Sequence, residues 1–329
     1  MEIRTYRGGD DPAIIAAWNR ACPTDPITLG VWVRRVLTDA NFDPAGLWLA
    51  WDHHRVASMV LGVRRRIPLF GTDLEETGWV TVFFTDPDYR GHHLSEQLFE
   101  AVEATMRRWG RRRIQFSPYV PHYFLPGLDS STYPAAASVL RRRGYRVFDT
   151  VVAMDKDLVG YQIPDDIRRF EMARQAEGFV VEPIRLEYLY PLLEFVHTVF
   201  KADWGRAVRE AVAGGIAERV WIVRQGPDII GFALFGGYDG VGERFGPFGI
   251  HPDFRGLGLG KWLLHRVMAQ MRAEGLHHAW FLWTEEEEPA GYLYRKAGFV
   301  VTRRFDLWEK TLTDLPSMPA RENTRRDQG

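Results

Sequence analysis

The chain has 329 residues, more than one typical hydrophobic core and enough for two domains. A hydrophobic content of 46%, a charged content of 26% and a formal net charge of -1 suit a soluble globular protein and leave no global field to draw it to nucleic acid or a membrane. Cys22 is the single cysteine, which excludes an intrachain disulfide and a cysteine-based metal cluster, and no apolar run approaches the ~20 residues a membrane span needs. With no secretory core after Met1-Glu2-Ile3-Arg4, the expectation is a reducing, cytoplasmic location.

In chain order, Glu2 to Tyr6 alternates as an opening strand, and Asp11-Pro12 starts a helix. A second helix is expected from about Thr28 to Leu37, and strands at Leu47–Trp51 and Val56–Val63 flank the turn Asp52-His53-His54. Arg64-Arg65-Arg66 reads as a solvated strand end rather than a phosphate patch. The strand Gly78–Phe84 leads to Pro87-Asp88-Tyr89-Arg90-Gly91 and a helix with Leu94, Leu98, Val102 and Met106 on one face. His92-His93 lacks a third ligand at a workable spacing, so no metal site is expected. Proline and glycine exclude a regular element from Ser117 to Asp129, where His122 reads as a packed histidine and Asp129 as a turn former. A helix over Ala135–Arg143 and a strand from Tyr145 close this half.

The polar stretch Asp155–Glu177 is a connector with a helix start at Pro164. The strand Val180–Ile184 follows, then helices at Leu186–Val199 and near Gly205–Ala213, and a hairpin pairing Val220–Val223 with Ile229–Phe235 across Gln225-Gly226-Pro227-Asp228. The strand Arg244–Ile250 contains Pro247, which cannot donate to a ladder and predicts a bulge or splayed edge. After a glycine turn, a helix carries Leu263, Leu264, Val267, Met268 and Met271 on one face. A strand at His278–Trp283, a helix at Pro289–Lys296 and a last strand through Leu312 complete the pattern.

Shifted by 165 positions, the chain aligns with itself without a gap: Pro87-Asp88-Tyr89-Arg90-Gly91 falls on Pro252-Asp253-Phe254-Arg255-Gly256. Leu94, Leu98, Val102, Met106, Gly110 and Phe116 then meet their identical counterparts. The chain is therefore two copies of one α/β fold, each a central mixed β-sheet flanked by helices. The expected division is an N-terminal domain over 1–156, a connector over 157–178, a C-terminal domain over 179–315 and a disordered tail over 316–329.

In the C-terminal copy a strand, a glycine turn and an opening helix make an anion site from unpaired N–H groups and the positive dipole end, with Arg255 adding charge. The spacing fits neither a Walker loop nor the Rossmann glycine order. Read at Arg255, Gly258 and Gly260, the pattern R-x-x-G-x-G resembles the pyrophosphate loop of the GNAT superfamily of acyl-CoA-dependent N-acetyltransferases. A second resemblance is Ala290-Gly291-Tyr292-Leu293-Tyr294-Arg295-Lys296-Ala297-Gly298-Phe299, similar to the superfamily's A-x-x-L-Y-x-x-x-G-F signature, with Glu287 in place of the usual Asn.

The resemblance implies acetyl-CoA as cofactor and a small-molecule amine as acceptor. It implies a cofactor site of Phe248, Gly249, Ile250, His251, Arg255, Gly256, Leu257, Gly258, Leu259, Gly260 and Lys261, the first four offering strand backbone to the pantetheine arm. It matches Tyr294 to the proton donor that assists thiolate departure; the plainer reading of Tyr294 is a packed aromatic. The base that takes the amine's proton stays open among Glu243, Glu285 and His251, because Glu285–Glu288 also reads as a helix-start charge run. In the N-terminal copy His93 and Ser95 replace the loop glycines and Leu140 stands at the phenol's position, so that copy is expected to be non-catalytic. The division resembles the tandem arrangement of mycothiol synthases. Two other readings remain: an acyl-CoA-binding sensor without turnover, and nucleic-acid binding through Arg107–Arg113, which the net charge opposes.

Overall fold

The computed structural model describes residues 1–67, 76–200 and 202–312, so the expected tail lies outside the described residues. The N-terminal half runs β1 (Glu2–Thr5), α1 (Asp11–Ala21), α2 (Leu29–Trp32, continued by a π turn over Val33–Leu37), β2 (Leu47–Asp52), β3 (Arg55–Arg64), β4 (Thr77–Thr85), α3 (Leu94–Arg108), β5 (Arg113–Phe116), α4 (Pro134–Arg142) and β6 (Arg146–Asp157). The connector helix α5 (Asp165–Ala176) follows. The C-terminal half runs β7 (Phe179–Pro183), α6 (Leu189–Val199), α7 (Ala202–Ala213), β8 (Val220–Gln225), β9 (Asp228–Phe235), β10 (Phe245–Ile250), α8 (Leu259–Ala273), β11 (His278–Thr284), α9 (Pro289–Lys296) and β12 (Val300–Thr311).

The repeat is structural. Helices α3 and α8 are both 15 residues long, and their first residues, Leu94 and Leu259, fall at matching positions of the two copies. Both follow a 3-10 turn, Pro87–Tyr89 in one copy and Pro252–Phe254 in the other. Each buries a stripe at helical spacing: Leu98, Val102 and Met106 in α3, and Leu263, Val267 and Met271 in α8. The β8–β9 hairpin closes as expected, with Gln225 opposite Asp228 and Gly226 in the positive-φ region a tight turn requires.

The sheets do not respect the boundary between the copies. One sheet of eight strands runs β1-β2-β3-β4-β5-β12-β6-β11, and a second of four runs β10-β9-β8-β7. Thus β12, from the C-terminal half, lies between β5 and β6 of the N-terminal half, and β11 pairs with β6. The two halves trade strands, so the division at the connector is one of sequence and not of hydrogen bonding. Alternation reports that a segment is a strand and which face is buried; it does not name the neighbour.

The traded strand is locked by Arg303 of β12. Its Nε donates to Asp129 Oδ2 at 2.9 Å, and its two terminal nitrogens donate to Asp25 at 2.6 and 3.1 Å. Asp129 is a turn former, accepting from Ser131 and Thr132 backbone N–H groups, and it is 4% exposed. Burial alone would raise its pKa; the Ser131, Thr132 and Arg303 donors outweigh that and hold it down at about 2. Because the folded value lies below the unfolded one, the stabilisation is full above pH ~4 and is lost as pH falls towards 2. Asp129→Asn should flatten the acid limb of a urea-unfolding series over that window by about 2 kcal/mol. An unchanged slope would show that Asp129 is not a source of the acid sensitivity.

Candidate active site

In the C-terminal copy β10 hydrogen-bonds to β9 along one edge only. Phe248, Gly249 and Ile250 lie opposite Ala233, Phe232 and Gly231. On its other side β10 meets β11 at one bridge, Arg244 with Trp280, and through the Trp280 N–H, which donates to the Glu243 carbonyl at 3.1 Å. Beyond that point the parallel strands part, leaving the N–H and C=O groups of β10 facing a wedge. The register shift between Phe245 and Phe248 brackets Pro247, which is the bulge a ladder proline demands.

The wedge opens towards the turn at His251–Lys261. Gly256 has φ +82° and Gly258, the residue before α8, has φ +80°, both in the left-handed region that glycine enters without penalty. No atom lies within 4 Å of where a Cβ on Gly256 would sit, so the space beside the turn is open. A Cβ on Gly260 would meet Ile250, Phe248 and Leu293 at 3.3 to 3.6 Å; here the glycine lets helix, strand and α9 converge. Arg255 and Leu257 are exposed, Leu259 is buried in the core, and Arg255 Nε reaches the Ile250 carbonyl at 3.4 Å. His251 spends its Nδ1 on the Asp253 N–H at 3.2 Å and its ring stacks on Phe195. Its placement therefore has a structural explanation.

Across the wedge, Tyr294 of α9 is buried among rings: Phe281 at 4.5 Å, Phe299 at 5.4 Å, Phe248 at 6.0 Å and Phe245 at 6.1 Å between centroids. Burial pushes its phenol well above the ordinary range, so it keeps its proton at neutral pH. The phenol and the glycine turn are thus joined by Phe248, which packs against both.

The structure separates the candidate bases. Glu243 sits at the closed end, where its Oε1 accepts from the His277 and His278 N–H groups at 3.0 and 3.2 Å, fixing the start of β11. Glu285 is exposed just past Thr284, at the open end. Its neighbours in the acidic run act structurally: Glu286 pairs with Arg304 and Arg295, and Glu287 accepts from the Tyr292 hydroxyl at 2.9 Å.

Three features were not anticipated from sequence. The connector helix α5 lies along α8, with Asp166 bonded to Lys261 at 2.7 Å, Glu171 paired with Arg266, and the Phe170 ring 2.7 Å from the Cβ position of Gly258. Phe200 and Trp204 cover Gly249 from the other side. In the N-terminal copy His93 adopts φ +54°, close to Gly258, and its side chain is exposed. The main chain of the loop is thus kept where the glycine is replaced. Only the sequence identity of the two loops signalled that their backbones match.

Two sequence families, each described as an acetyltransferase (GNAT) domain, match this chain, one over residues 2–124 and the other over 217–301. A mycothiol acetyltransferase of Geodermatophilus obscurus is 33% identical over 121 residues, which cover 35% of this chain and 38% of that protein's length. A GCN5-related glucosamine N-acetyltransferase region of a fungal multi-domain GH3 β-N-acetylglucosaminidase superposes with a TM-score of 0.76 at 17% identity, over 94% of this chain and 38% of that one. A GCN5-related N-acetyltransferase from Sphaerobacter thermophilus gives 0.69 at 18% identity, over 94% and 95% of the two chains. A tandem GNAT protein from the clavulanic acid biosynthesis pathway gives 0.61 at 16% identity, over 95% and 99%. With a GNAT domain in each half and a fold shared end to end with a tandem GNAT protein, the chain belongs to the GNAT acetyltransferase family in its two-domain form.

Proposed function

We propose that this protein is an acetyl-CoA-dependent N-acetyltransferase that moves the acetyl group to a primary amine of a small molecule, with the C-terminal copy performing the transfer. The observation that carries the reading is the convergence, at one wedge, of a free strand edge, a glycine turn opening a 15-residue helix, and the buried phenol of Tyr294. Bare N–H groups from Gly256 to Lys261, with Arg255, suit a diphosphate. The free edge of Phe248–His251 suits the amides of a pantetheine arm. Bound acetyl-CoA supplies an activated thioester, and Tyr294 holds a proton for the departing thiolate. Of the candidate bases, Glu285 and His251 flank the open end, whereas Glu243 sits at the closed end beside the start of β11. A screen of small primary amines with acetyl-CoA, read as thiol release, tests the reading. Tight coenzyme A binding with no turnover on any amine would overturn it.

That second outcome is the sensor reading. The turn is partly covered in this structure: Phe170 packs against Gly258 while Asp166 occupies the Lys261 ammonium. Asp166→Asn should free Lys261 for phosphate and tighten coenzyme A binding about two- to five-fold at low salt, with the gain fading as salt rises. Isothermal titration calorimetry at two salt concentrations checks this. Unaltered affinity would remove Lys261 from the binding set.

A further inference from the structure

A second opening lies in the N-terminal copy. Strands β4 and β5 pair in parallel from Thr77 opposite Arg113 to Val80 opposite Phe116 and then part, leaving Thr81 to Thr85 as one wall. A cavity of about 800 Å³ opens there, in the size range of small-molecule sites. Arg90, Gly91 and His93, at the start of α3, line it together with the apolar Trp18, Ile27, Val31 and Phe124. The turn at its mouth keeps the geometry of the C-terminal one, with Gly91 at φ +87° against +82° for Gly256, and His93 at +54° against +80° for Gly258.

Asp25 and Tyr133 also line this cavity. The Tyr133 hydroxyl donates to Asp25 Oδ2 at 2.5 Å, and Arg303, delivered by the traded strand β12, donates to both Asp25 oxygens. Leu140 occupies the place where the motif puts a phenol, but Tyr133, immediately before α4, brings another to the same cleft. Cys22 lines the cavity too, yet burial pushes its thiol up to about 12. It stays a thiol at neutral pH, which argues against an acyl-cysteine route and for direct transfer.

We propose that the N-terminal cleft is a second acyl-transfer centre, in which Tyr133 and Asp25 serve a thioester and a primary amine carried on an apolar body. The inference rests on the reading that the GNAT cleft of this chain takes an acyl-CoA. The amine enters deprotonated, and its nitrogen forms a bond to the thioester carbonyl carbon. The C–S bond breaks with its electron pair going to sulfur. Asp25 takes the second proton from nitrogen, Tyr133 gives its hydroxyl proton to sulfur, and Asp25 returns a proton to the phenolate. Amide and free thiol result, and no oxidant or further reactant is needed. The apolar side chains of Trp18, Ile27, Val31 and Phe124 receive the body of the amine.

The test uses the full chain with acetyl-CoA and phenethylamine, following thiol release. Tyr294→Phe silences the C-terminal copy. Phenethylamine-dependent release should persist in it, and adding Tyr133→Phe should lower kcat about 100-fold while leaving KM for acetyl-CoA unchanged. Asp25→Asn in the same background should act in the same direction, and an unchanged melting temperature in the Tyr133→Phe variant separates lost chemistry from lost folding. If Tyr294→Phe alone abolishes release with phenethylamine while the wild type turns it over, the inference is overturned and the C-terminal assignment stands. If the wild type releases no thiol with phenethylamine or with any polar amine, the acyltransferase reading itself fails, and this inference with it.

Discussion

Replacing Gly258 by Glu should remove coenzyme A from the C-terminal copy, weakening binding there by more than about 100-fold. Three effects act together. The residue sits at φ +80°, where a side chain costs about 1–2 kcal/mol. Its Cβ would stand 2.7 Å from the Phe170 ring, which must move. Above all, a carboxylate at the residue preceding α8 would occupy the N–H groups that a diphosphate needs, and a negative charge there repels another. Gly258→Ala separates these contributions: it keeps the strain and the ring contact without the charge, and should cost about 10-fold. The fold should survive both, because His93 already holds the matching position in the other copy at φ +54°. Calorimetry with coenzyme A reads the loss of this site, and unchanged stoichiometry and affinity in the Glu variant would displace the diphosphate from this turn.

Tyr294→Phe should lower kcat by about 100-fold or more while the dissociation constant for acetyl-CoA stays within about two-fold. The ring is retained, so its packing on Phe281, Phe299, Phe248 and Phe245 is retained, and the melting temperature should scarcely move. What is lost is one proton beside the leaving sulfur. Because burial raises the phenol's pKa, the wild-type enzyme should show no falling limb in kcat up to pH ~10; the rising limb belongs to the amine and its base. Steady-state kinetics check both points, with a polar amine whose turnover does not depend on Tyr133. Unchanged kcat would return Tyr294 to a packing role.

The parts of this architecture that were legible in the sequence are the ones written locally. The duplicated turn and helix could be read because a proline, an arginine, a glycine and a helix face recur together, and α3 and α8 start at matching positions. The splay of β10 could be read because Pro247 cannot donate to a ladder. The trading of β6, β11 and β12 could not, since each strand alternates in the same way whichever neighbour it takes. Phe170 was also hidden: α5 is mostly polar, and nothing in its spacing says that one ring turns towards Gly258. The association of Asp25 with Tyr133 and Arg303 spans 278 positions from Asp25 to Arg303 and exists only because β12 crosses into the other half. For the acidic run Glu285–Glu288, the helix-start reading was legible, but not the pairing of Glu286 with Arg304 and Arg295.

Where coenzyme A lodges is decisive. A crystal structure of the full chain with coenzyme A should place the diphosphate on the main-chain N–H groups of Gly256 to Lys261 and the pantetheine arm between β10 and β11, its thiol end beside Tyr294. Nucleotide found in the N-terminal cleft alone, with β10 and β11 closed on each other, would contradict it.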